Sequence, residues 1–208
     1  TSHAEPRPLI PGEEIEIELA LDHIAYRLPE GHRLRVAVSS AYWPMIWPSS
    51  AATRLTLLEG ALTLPVRAAA TGDEITFAPA ESAAPLEAET LREAAHVRRS
   101  ETDHQTGAVT LVIEDDFGKS RNGDHGLIAG SVARERWTIH PDDPLSAHGW
   151  THWTQEIERD GTRLRTEAMQ EMWSDSGTFY LTGRIEAWQD DVLIYERDIK
   201  DEVPRDNL

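Results

Sequence analysis

Apolar residues recur at every second position over residues 13–21: Ile15, Ile17, Leu19 and Leu21 point one way, and Glu14, Glu16, Glu18 and Ala20 the other. A period of two belongs to a strand with one buried face and does not fit a helix. The alternation returns over residues 33–40, where Leu34, Val36 and Val38 share a side. Short strands are predicted at 54–58 and 62–66, around a Glu59-Gly60 turn. Pro29-Glu30-Gly31 supplies another turn, with Gly31 free to take positive φ. Residues 1–12 carry Pro6, Pro8 and Pro11 and read as an extended lead-in.

Residues 78–95 change character. Ala, Glu and Pro dominate and no period of two survives, so a linker or surface crossover is expected; Leu86 to Ala95 has the composition of a short helix, which would be marginal at that length. The alternation then resumes in longer runs. Residues 96–104 and 108–115 flank Thr106-Gly107 as a hairpin, and strands are predicted at 131–140, 153–159, 163–174, 178–188 and 192–199. Asp160-Gly161 and Asp190-Asp191 are the turns between the later strands. Strands joined in succession by tight turns make an antiparallel meander. No βαβ alternation occurs, so this chain encodes no Rossmann or α/β-hydrolase core. The expected class is all-β and antiparallel.

Charge narrows the function. The chain of 208 residues carries a formal net charge of −17. Its field repels polyanions and anionic lipid, so neither a nucleic-acid nor a membrane partner is expected. The sequence has no Cys, which excludes disulfides, thiolate nucleophiles and Cys-ligated zinc. No apolar run approaches the roughly 20 residues that cross a bilayer, and the first residues hold no apolar stretch of a signal peptide. A cytoplasmic location is the expectation.

Chemistry-bearing patterns are few. A G-x-S-x-G elbow, which would present a hydrolase serine, is missing, and Ser39-Ser40 ends an alternating strand. His148 and His152 share a side of a predicted strand, but i and i+4 there stand roughly 13 Å apart, too far for one metal. Glu114-Asp115-Asp116-Phe117-Gly118 lacks the alternating oxygens of a calcium loop and reads as a solvated acidic turn. No catalytic, cofactor or metal residue is therefore assigned, and no cofactor is expected. The densest apolar loop holds Tyr42, Trp43, Met45, Ile46 and Trp47, with Pro44 and Pro48 removing backbone donors. It is expected to dock on a neighbouring domain or on its own sheet rather than to touch substrate. Trp137, Trp150, Trp153, Trp173 and Trp188 fit cross-strand packing, with a sugar-stacking platform as the sharper alternative.

The run Gly31-His32-Arg33-Leu34-Arg35-Val36-Ala37-Val38-Ser39-Ser40-Ala41-Tyr42-Trp43-Pro44-Met45-Ile46-Trp47-Pro48 resembles the C-terminal domain of CocE/NonD-type hydrolases, relatives of cocaine esterase and X-Pro dipeptidyl-peptidase. Leu62-Thr63-Leu64-Pro65-Val66 resembles the segment that follows. Ile113 to Gly118, Gly130 to Ala133, Trp137 to Pro144 and Trp153-Thr154-Gln155 resemble a long-form subgroup.

The resemblance implies a jelly-roll β-sandwich of the galactose-binding-like type. Residues 1–77 would form part of that sandwich and 78–95 the crossover. Residues 96–208 would add the long-stranded meander, packed with 1–77 as one unit. It further implies an N-terminal α/β-hydrolase domain carrying a Ser-His-Asp triad, none of which maps onto this chain. Strands preceding Glu13 would be needed to complete the sandwich, so the chain is expected to be part of a longer polypeptide. An incomplete sandwich exposes an edge and an apolar face, and self-association into a homo-oligomer, by strand exchange, follows as an expectation. The implied role is a non-catalytic C-terminal part of a serine hydrolase that cleaves an ester, amide or X-Pro peptide bond. The rival reading is a stand-alone carbohydrate-binding jelly-roll module.

Overall fold

The computed structural model describes residues 6–68, 70–73 and 75–207. Eight strands, and no helix among the described residues, build one antiparallel sheet. They are β1 (Ala88–Arg92), β2 (Ala95–Thr102), β3 (Val109–Asn122), β4 (Ile128–His140), β5 (Asp143–Arg159), β6 (Thr162–Ser174), β7 (Thr178–Gln189) and β8 (Val192–Pro204). From β3 to β8 each strand pairs with the next, so the meander that the alternation predicts is the fold. The turns fall where their residues require them. Asp160 and Gly161 take φ of 52° and 80°, the double left-handed pair of a two-residue hairpin.

The other edge is shared. β2 pairs with the first half of β3, Thr102 opposite Val109 through Ala95 opposite Asp116. β1 pairs with the second half, from Lys119 to Asn122. The register slips between Asp116 and Lys119, so Phe117 and Gly118 form a bulge where one edge strand hands over to the other. Gly118 has φ +82°, and a Cβ there would stand 2.9 Å from the Arg92 carbonyl oxygen. Arg92 spans the break: Nε lies 2.7 Å from Asp116 Oδ2, and Nη1 donates to Glu156 at 3.2 Å. Lys119 reaches the same Glu156 at 3.3 Å.

Parts of the sheet differ from the sequence reading. The short helix that composition allowed over 86–95 does not form, and Ala88–Arg92 is strand β1. Helix propensity over so short a stretch is weaker than the ladder bonds that β3 offers beyond the bulge. β5 also begins ten residues earlier than the predicted strand at 153, because Gly149 interrupts the apolar pattern without interrupting the ladder. A Cβ at Gly149 would meet the Trp137 ring at 2.7 Å, so the side chain is missing where the indole lies.

The registers assign two faces. Leu111, Ile113, Trp137, Ala133, Trp153, Ala168, Met172, Leu181 and Ile185 share one, which is apolar. Arg134, His152, Glu167, Arg165, Arg184 and Glu186 share the other, which is ionic. Much of the apolar face is open to solvent, Trp153, Ile157, Leu164 and Ile185 included.

Residues 6–68, 70–73 and 75–87 form no strand ladder. The turn at Pro29 exists, with His32 N–H donating to Pro29 O at 3.1 Å, but none forms at Glu59-Gly60. The alternating stretches at 13–21, 33–40, 54–58 and 62–66 stay exposed, Val66 to 90%. Alternation makes a segment fit for a sheet face, but a ladder also needs a neighbour with free N–H and C=O groups, and the described residues bring none beside these.

Candidate functional site

The loop holding Tyr42, Trp43, Met45, Ile46 and Trp47 is seated on one end of the apolar face. Its backbone closes a single turn, with Ile46 N–H donating to Tyr42 O at 2.9 Å. Trp43 packs edge-on between Trp47 (5.1 Å between ring centres) and Trp137 of β4 (5.9 Å). Trp47 turns its edge to Phe179 of β7 at 6.2 Å and donates Nε1 to Ser174 Oγ at 3.1 Å. Edge-to-face geometry suits rings whose faces carry negative and whose edges carry positive charge.

Arg205, which follows β8, locks the loop from below and is only 1% exposed. Its Nη2 donates to Pro48 O at 2.6 Å, and its Nη1 to Ser174 Oγ at 2.9 Å and Asp175 O at 3.2 Å. Its guanidinium carbon lies 4.7 Å from the centre of the Phe179 ring. Burial pulls this guanidinium below its ordinary pKa, and the nearby Asp175 charge acts the other way. Asp175 itself is held low by the Gly177 N–H, the Tyr180 hydroxyl and the Thr178 N–H.

The fixed residues leave the others outside. Trp43 and Trp47 are half-buried, whereas Tyr42, Met45 and Ile46 are 65%, 74% and 62% exposed. The loop therefore has a half that grips its own sheet and an apolar half that faces away. The sequence flagged all five residues. It carried no sign of Arg205 or Ser174, which lie far along the chain and join the loop only through tertiary contact.

The ionic face centres on Glu167, 9% exposed. His152 Nε2 lies 2.6 Å from its Oε2, Thr154 Oγ1 donates to the same oxygen at 2.8 Å, and Arg165 pairs with Oε1. Burial works against the charge on this carboxyl, but the Thr154, His152 and Arg165 contacts outweigh it and hold its pKa below the usual range. Trp173 stacks on Tyr180 at 5.6 Å and His148 at 6.4 Å, and Arg165 lies over Trp188 at 4.9 Å.

The remaining motif residues separate. His148 and His152 lie on one face of β5 but serve different carboxylates, Glu171 at 3.7 Å and Glu167. Glu114, Asp115 and Asp116 pair with Arg99, His96 and Arg92 in turn, so nitrogen donors of the neighbouring strands already occupy the acidic run. No group of three or more His, Asp and Glu side chains converges on a point among the described residues. Ser39 Oγ donates to the Ala41 carbonyl at 2.7 Å. The five Trp divide between the faces: Trp137 and Trp153 on the apolar side, Trp150, Trp173 and Trp188 on the ionic side. They do not form a single platform. Among the described residues no helix is long and apolar enough to cross a membrane.

Comparison with known families gives a match. A family model described as the X-Pro dipeptidyl-peptidase C-terminal non-catalytic domain matches residues 1–111, which take in the Trp loop, β1 and β2. No curated protein and no solved structure matches.

Proposed function

The chain belongs to the family of X-Pro dipeptidyl-peptidase C-terminal non-catalytic domains, and from that premise we propose that it is the accessory part of a longer CocE/NonD-type serine hydrolase. An N-terminal α/β-hydrolase domain of the same polypeptide cleaves an ester, amide or X-Pro peptide bond through an acyl-enzyme. Residues 1–208 add structural support and no bond-breaking group. Residues 1–77 belong to a jelly-roll sandwich of the galactose-binding-like type, completed by strands from elsewhere in that polypeptide.

One observation carries the reading. The alternating stretches over 13–66 present Ile15, Ile17, Leu19, Leu34, Val36, Leu57 and Val66 to solvent, while the loop between them is anchored by two Trp. Apolar surface of this extent marks a protein-protein contact. The exposed half of the loop, Tyr42, Met45 and Ile46, is the docking contact for the hydrolase domain.

The test uses a serine-directed phosphonate on the 208-residue chain and on the whole product of its reading frame. The expected adduct lies before Thr1 in the longer product, with none inside residues 1–208 and no nitrophenyl-ester hydrolysis by the chain alone. An adduct within the chain, or a full product that takes up no label, rules the proposal out.

A further inference from the structure

The outer edge of β8 is free: the strand pairs with β7 on one side and with nothing among the described residues on the other, and all thirteen of its residues are exposed. A long free edge is a template for another strand, and proteins commonly place charges there to prevent pairing. β8 carries such charges in an unusual order. Arg197-Asp198-Ile199-Lys200-Asp201 reads plus, minus, neutral, plus, minus, which is complementary to itself when reversed.

We infer that β8 pairs antiparallel with β8 of a second copy of this chain, about a two-fold axis through Ile199. Ile199 then opposes Ile199 of the copy, and Arg197 opposes Asp201, twice by symmetry. Tyr195 opposes Val203, also twice. All five of these positions lie on the apolar face, because the β7 register puts Tyr195, Arg197, Ile199, Asp201 and Val203 beside Ala187, Ile185, Gly183, Leu181 and Phe179. On the ionic face Asp198 opposes Lys200, twice. Cross-strand opposite charges and apolar pairs stabilise a sheet, and like charges directly opposed destabilise it. Glu196 opposes Glu202 one position inside the Tyr195–Val203 pairs, but Arg184 already holds Glu196 and, at 3.0 Å, Asp198, and Lys200 lies 3.6 Å from Glu202.

Two further facts point to a second copy. Arg197 and Asp201 have apolar cross-strand neighbours on β7, Ile185 and Leu181, and Arg197 makes no ion pair among the described residues. Arg197 and Asp201 therefore form no ion pair with the inner strand, and among the described residues Asp201 Oδ1 accepts only the Glu202 N–H at 2.9 Å. Neighbouring registers also place like charges together: a step one way sets Asp198 against Asp198, two steps set Arg197 against Arg197, and a step the other way sets Lys200 against Lys200. The pattern that repels a general partner strand admits one register with itself, which closes a two-fold dimer and stops further growth.

The test is made on the full chain by sedimentation velocity. The parent protein is expected to dimerise. Arg197→Asp is expected to weaken association at least tenfold, as is Asp201→Arg, and the double variant R197D/D201R, which rebuilds both pairs with reversed sign, is expected to restore it. A second measurement does not depend on affinity. The chain has no Cys, so Ile199→Cys introduces one thiol per copy, opposed across the axis at about 4.5–5.5 Å between Cα atoms, within disulfide reach. Arg197→Cys places its thiols roughly 13 Å apart. Mild oxidation is expected to trap the Ile199→Cys dimer and leave Arg197→Cys monomeric. A monomeric parent chain, a dimer indifferent to Arg197→Asp, or equal cross-linking of the two Cys variants overturns the inference. A dimer indifferent to Arg197→Asp would place the contact on the open apolar face instead.

Discussion

Trp47 donates its indole Nε1 to the hydroxyl oxygen of Ser174 across 3.1 Å, joining residues 127 positions apart. Ser174 is buried and also receives Arg205, so one hydroxyl at the end of β6 collects the loop and the last residues of the sheet. The neighbouring Trp43 contributes by its ring alone, because its buried Nε1 has no hydrogen-bond partner among the described residues.

The two indoles should therefore respond differently to replacement. Trp47→Phe loses a made hydrogen bond and is expected to cost about 0.5–1.5 kcal/mol beyond the change in ring area. Trp43→Phe loses no bond and removes an unpaired donor, so its cost should be smaller. Urea unfolding of the two variants beside the parent chain measures the difference. Equal destabilisation would show that Ser174 gives Trp47 no net stability.

Arg205→Met is expected to destabilise by about 1–3 kcal/mol, since it takes the guanidinium donor from the buried Ser174 hydroxyl and from the part-buried Pro48 and Asp175 carbonyls. Arg205→Lys should not rescue it, because one ammonium cannot reproduce a guanidinium that donates from two nitrogens and lies over Phe179. The readout is a red shift of Trp emission, as Trp47 loses its seat, together with a lower urea midpoint.

Glu167 sets part of the acid response. Its folded pKa is depressed, so the stability it contributes is fully present above the unfolded glutamate value of about 4.3 and is lost as pH falls through the folded value. Unfolding free energy measured from pH 7 downward should fall in that window. Glu167→Gln should be less stable at neutral pH, since it loses the charge facing His152 and Arg165, and should show a shallower fall. A variant with the same acid slope as the parent would move the source to other carboxylates, Asp116 beside Arg92 first among them.

Gly118→Ala tests the bulge. The residue sits at φ +82°, and its new methyl would stand 2.9 Å from a backbone oxygen that cannot swing away. A cost of about 1–3 kcal/mol is expected. It should appear as faster amide exchange in β1 and around Arg92, while the β5–β7 ladders keep their protection.

Much of the sheet was legible in the sequence because its information is local. Asp160-Gly161 names its turn, and residues 163–174 and 178–188 declare their faces by alternation. β1 and the first half of β5 were not legible. β1 has helix-forming residues but is held by β3 across the bulge, and Gly149 breaks the pattern in β5 because its missing side chain makes room for Trp137. The Trp loop stood out by composition, yet which of its rings grip and which face away depended on Trp137, Ser174, Phe179 and Arg205.

The amino-acid order by itself determined that the backbone is extended, where it turns, and which side of each strand is apolar, since period and turn chemistry act over a few neighbouring residues. The tertiary structure decided which stretches find a ladder and which stay unpaired, where the Trp loop lands, and which edge is left free. Those outcomes rest on N–H and C=O groups, rings and charges contributed by residues distant in the chain, and no local pattern encodes who will stand beside whom.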